Sequence, residues 1–116
     1  MNTRLLLAAL AMTGFAAPAM AHAFLQHASP GAGATLAVPP KEVVLEFSES
    51  LEAAFSGVDV IDVTGRDIEA APAVISGASM RVSLKTLAPG RYHVRWHAVS
   101  VDTHRTAGAY DITIKP

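Results

Sequence analysis

Tyr92-His93-Val94-Arg95-Trp96-His97-Ala98 alternates strictly between apolar and polar residues, the period-two pattern of a strand with one face buried and one in water. Tyr92, Val94, Trp96 and Ala98 share one face on this reading, and His93, Arg95 and His97 the other. The same pattern recurs on either side, in Met80 to Lys85 and in Tyr110 to Ile114. Further upstream, Val43, Leu45 and Phe47 fall on one face of a run, and Val58, Val60 and Asp62 lie opposite Asp59, Ile61 and Val63 in the next. No stretch keeps a helical period. Turn chemistry separates the runs at Ser29-Pro30-Gly31, Thr64-Gly65, Ser76-Gly77 and Pro89-Gly90, where proline presets φ and glycine accepts φ > 0. The expectation is an all-β sandwich of about seven short strands, with the Gly/Ala-rich Gly31 to Ala37 as a loop. Phe47, Tyr92 and Trp96 are expected in the core rather than as ligands, and Tyr92, just after Pro89-Gly90, fits the tyrosine corner of sandwich folds.

The first residues belong to a different pattern. Arg4 gives a short positive start, Leu5 to Ala17 form an apolar run interrupted by Thr13 and Gly14, and Pro18 breaks it before Ala19-Met20-Ala21. The run is short for a membrane span, and the small-x-small triplet is the mark of a signal peptidase site. Residues 1–21 are therefore expected to be a cleaved signal peptide, with residues 22–116 as one exported domain. Small residues at Ala16-Ala17-Pro18 and Ala21-His22-Ala23 offer other cleavage points, but a cut after Ala21 matches best and makes His22 the first residue.

Composition removes several functions. Nine Lys and Arg stand against ten Asp and Glu, a near-neutral balance without the basic field that nucleic acid or anionic lipid requires. The absence of cysteine excludes thiolate metal sites, thiol catalysis and dithiol redox chemistry. After the expected cut only Met80 is left among the methionines, so there is no clustered thioether site.

The five histidines are where chemistry could reside. His93 and His97 share a strand face but lie about 13 Å apart, too far for one ion; both read as surface residues flanking Arg95. His27 would lie on the opposite face from His22 on an unbulged strand and also reads as surface. Asp102 and His104 stand at i and i+2, so an extended backbone would aim both at one ion while Thr103 points away; the alternative is a turn with an exposed histidine nearby. A free amino-terminal His22 strengthens the metal reading, because its α-amine and Nδ1 close a six-membered chelate. With the His104 imidazole and the Asp102 carboxylate they make an N₃O set, which suits tetragonal Cu(II) better than zinc or nickel. The α-amine, with a reference pKa of about 7.7 to 8.0, can be deprotonated by a metal at neutral pH. The other amino-terminal copper motif needs histidine in third place, where Phe24 stands.

Mature His22-Ala23-Phe24-Leu25, Leu45-Glu46-Phe47-Ser48-Glu49, Pro89-Gly90-Arg91-Tyr92, Trp96, Val99-Ser100-Val101-Asp102-Thr103-His104 and Gly108 together resemble the CopC family of periplasmic copper-binding proteins. The resemblance spans essentially the whole mature chain. It implies an immunoglobulin-like Greek-key β-sandwich or barrel, with Cu(II) held at His22, Asp102 and His104. It also implies a role for Glu49 in orienting a ligand from outside the direct ligand set, against the plain reading of a surface acid at a strand end. Some relatives carry a second histidine where Phe24 stands, or a methionine-rich loop for Cu(I); a single Cu(II) site is the expectation here. The implied function is periplasmic sequestration or carriage of copper, by a non-enzymatic monomer, toward an inner-membrane transporter resembling CopD. Two other readings stay open: a small oxidative copper enzyme that uses the same histidine chelate on polysaccharides, and a metal-free immunoglobulin-like interaction module. One Trp and two Tyr leave the former little surface for gripping a glycan.

Overall fold

The computed structural model describes residues 24–116; the expected leader 1–21 and His22 lie outside the described residues. The five runs become β3 (Glu42–Phe47), β4 (Gly57–Asp62), β6 (Ser79–Ser83), β7 (Gly90–Val99) and β8 (Arg105–Ile114), joined by β1 (Leu25–Ser29), β2 (Thr35–Leu36) and β5 (Val74–Ser76), with a 3₁₀ turn at Ala53–Phe55. They pair into two four-stranded sheets, ordered β1-β3-β6-β5 and β2-β8-β7-β4. Every strand pairing is antiparallel except β2 with β8. The chain passes repeatedly from one sheet to the other, giving the expected Greek-key sandwich. The described strands exceed the expected seven because β2 lies inside the Gly31 to Ala37 segment read as loop. Two residues are too few to show a period.

The inner faces are those that alternation assigned. Val43, Leu45 and Phe47 of β3, with Met80 and Val82 of β6, meet Val58 and Val60 of β4, Tyr92, Val94 and Ala98 of β7, and Ile112 and Ile114 of β8, all buried. Leu51, Ile68, Leu84 and Leu87 close the margins. The Tyr92 hydroxyl donates to the Ala88 carbonyl at 2.6 Å, so the tyrosine corner is formed. Tyr110 reaches across to donate to the Pro30 carbonyl at 2.9 Å, and its burial pushes the phenol up to about 12.

Trp96 sits edge-on to Phe47 across the two sheets, ring centroids 5.1 Å apart and planes inclined by 72°, within the range of favourable aromatic pairs. Its cross-strand partner on β8 is Gly108, and the indole lies over that glycine: a methyl group there would come within 2.6 Å of the ring. Gly108→Ala must therefore displace the indole and disturb the Phe47 contact. The expected cost is about 1–3 kcal/mol of stability, read from a lower denaturation midpoint followed by the fluorescence of the single tryptophan.

Candidate metal centre

One end of the sandwich is organised by a tight hairpin and a crossing segment. β7 ends at Val99 and β8 begins at Arg105. Between them the Thr103 N–H donates to the Ser100 carbonyl at 2.8 Å and the Ser100 N–H donates to the His104 carbonyl at 2.9 Å. Thr103 has φ 73°. A turn followed by one left-handed residue is the usual three-residue hairpin loop, with Val101, Asp102 and Thr103 as the loop. The extended backbone expected for Asp102 to His104 is thus corrected. A β-branched threonine disfavours φ > 0, so nothing in its identity announced the loop's shape.

The loop nevertheless brings the expected pair together. His104 Nδ1 lies 3.3 Å from Asp102 Oδ1, with both side chains partly exposed. The Ser100 hydroxyl donates to the same carboxylate oxygen. That hydrogen bond first, and His104 beside it, hold the Asp102 carboxyl below its ordinary value. An acid kept ionised next to an imidazole is a donor pair with its charge already in place.

Ser48 to Glu52 runs across this end from β3 toward β7. The Val101 N–H donates to the Ser50 carbonyl at 3.0 Å, and the Glu52 N–H donates to the Val99 carbonyl at 2.8 Å. At its other end the segment clamps the start of the described chain: the Phe24 N–H donates to Ser48 Oγ at 2.8 Å, and the Ser48 N–H donates to the Phe24 carbonyl at 2.8 Å. Glu49 lies between these two attachments, with its Oε2 buried and lacking a hydrogen-bond partner among the described residues. A buried carboxylate oxygen without a donor is costly and points to a group that would satisfy it.

The remaining histidines sit elsewhere. His93 and His97 occupy the outer face of β7, opposite Ile61 and Gly57 of β4. His93 Nδ1 meets Asp111 Oδ1 of β8 at 2.5 Å, a cross-strand partner that only register could reveal. His97 lies against Gly57. His27 is exposed, but β1 is irregular between Leu25 and His27, so the opposite-face argument from an unbulged strand does not hold. Among the described residues no three His, Asp or Glu side chains gather around one point; Asp102 and His104 supply two donors. Sequence reasoning gave no role to Ser100, the one buried polar residue among the described residues, since a serine just past the end of a strand carries no mark of its contacts.

Fold and hairpin together define a small Greek-key β-sandwich with an Asp-x-His donor pair at one end. The CopC domain family matches residues 25–115, and the chain belongs to it. Protein YobA of Escherichia coli K12 is 36% identical over 112 residues, covering 92% of this chain and 90% of the relative. Copper resistance protein C of Escherichia coli is 36% identical over 126 residues, covering 99% and 98%. The crystal structure of CopC from Methylosinus trichosporium OB3b superposes with a TM-score of 0.75 at 33% identity, covering 82% of this chain and 95% of that one.

Proposed function

We propose that residues 1–21 are removed on export and that residues 22–116 act in the periplasm as a Cu(II)-binding protein of copper homeostasis or resistance. The ligands are the His22 α-amine and imidazole, the His104 imidazole and the Asp102 carboxylate. The observation that carries this reading is the hairpin that sets Asp102 beside His104, linked through Ser48–Glu52 to Phe24, two residues from His22. Glu49, on that link, supplies a buried acceptor suited to the amine or imidazole N–H of a ligand. The names of the copper resistance relatives support the metal. The CopC resemblance supports a monomeric carrier delivering copper to an inner-membrane transporter of the CopD kind.

The test is titration of the processed protein with Cu(II), followed by electron paramagnetic resonance, after intact mass has verified the His22 start. Nitrogen and oxygen donors favour Cu(II) over Cu(I), so competition with oxidation-state-specific chelators should rank them in that order. Affinity should fall as pH drops through the range where the α-amine and imidazoles take up protons, reference values about 7.7–8.0 and 6.5. The midpoint should lie below those values because copper competes with the protons. Asp102, held below its ordinary value, stays ionised through that window and protonates only in stronger acid. Tighter Cu(I) than Cu(II) binding, or an affinity indifferent to pH, would overturn the assignment.

A further inference from the structure

We infer that Ser100 is the positioning residue of the metal centre: its buried hydroxyl sets the Asp102 carboxylate and the His104 backbone before the ion arrives. The inference rests on the reading of Asp102 and His104 as ligands and extends it to a residue that touches no metal.

Ser100 is fully buried, and it is the one polar residue among those buried in the described core. A buried hydroxyl must be hydrogen-bonded or it destabilises the fold. Here all its contacts go to the donor pair. Ser100 Oγ donates to Asp102 Oδ1 and accepts from the His104 N–H at 3.3 Å. The Ser100 backbone closes the hairpin in both directions, donating to His104 and accepting from Thr103. Ser100 also bridges to Leu51, so the loop is fixed to the segment that carries Glu49 and clamps Phe24. The hairpin loop and the segment before the 3₁₀ turn, remote in sequence, thus meet at one residue.

The geometry has a chemical consequence. A hydroxyl has one proton to donate, and Ser100 spends it on Asp102 Oδ1. The hydrogen bond restricts rotation of the carboxylate, and the His104 N–H anchors the donor two residues on. Without the hydroxyl, the Asp102 carboxylate loses its buried anchor and is restrained only by His104 beside it, and binding must then complete its ordering. Preorganised ligands bind more tightly because that ordering is already complete.

Ser100→Ala removes the hydroxyl and leaves the packing volume almost unchanged. It should weaken Cu(II) binding about tenfold, the scale of one hydrogen bond to a charged group, and shift the g and hyperfine values of the bound Cu(II). Ser100→Thr, which keeps a hydroxyl, should restore both wherever its thermal melt shows a native fold. A double-mutant cycle with Asp102→Ala removes dependence on that variant: if Ser100 acts through Asp102, Ser100→Ala adds little loss once the carboxylate is gone. Wild-type affinity and an unchanged spectrum in Ser100→Ala, or fully additive losses in the cycle, would overturn the inference. If Asp102→Ala and His104→Ala both bind Cu(II) as tightly as wild type, the ligand assignment itself has failed, which is a separate result.

Discussion

Adding one residue ahead of His22 is expected to weaken Cu(II) binding by more than about a hundredfold, beyond the tenfold to hundredfold that supporting partners of a metal site contribute. The extra residue turns the α-amine into a neutral amide, a much poorer donor that closes the six-membered ring only where Cu(II) displaces its proton. The amine and imidazole no longer act as one ready chelate. The fold should not notice. Phe24 is held at Ser48 by two hydrogen bonds that involve nothing upstream, and the core begins beyond it. Competition titration of native and extended proteins, with matched thermal melts, checks the expectation. Equal affinities would place copper elsewhere on the molecule.

His104→Ala should produce the next largest loss, about a hundredfold, because an equatorial imidazole binds Cu(II) more strongly than a single carboxylate oxygen. Asp102→Asn should cost less, since the amide oxygen can still face the ion and accept from Ser100. His93→Ala and His97→Ala should stay within about twofold, the scale of ordinary surface changes. His93 is engaged with Asp111, and both histidines face outward from the middle of the β7 register. Affinities of the four variants, compared with their copper spectra, decide the ranking. A dominant effect at His97 would mean that the ion sits on the outer sheet face.

The strands were legible in the sequence because each has one buried face, and burial imprints a period of two. Val43, Leu45 and Phe47, or Tyr92, Val94 and Ala98, could not be read otherwise. The candidate site was legible in its residues but not in its geometry. Asp102 and His104 are chemically conspicuous, but the path between them depends on Thr103 at φ 73°, which a β-branched residue does not advertise. β2 is held by two parallel pairings to the end of β8 rather than by any pattern of its own. The irregularity of β1 between Leu25 and His27 depends on where β3 stands, a non-local fact. Ser100 escaped notice for a similar reason: its bridge to Leu51 joins segments remote in sequence.

Met80 has a consequence for durability in the presence of a redox-active ion. It is fully buried at the centre of the core, it is the only methionine after residue 21, and the chain has no cysteine. Sulfur side chains are the ones most readily oxidised when copper cycles with oxygen or peroxide, and a methionine sulfoxide in a core disrupts its packing. The described domain presents no sulfur to solvent at all. Its single thioether is shielded by both sheets, so a fold that would hold copper at the hairpin end offers that chemistry no easy sulfur target.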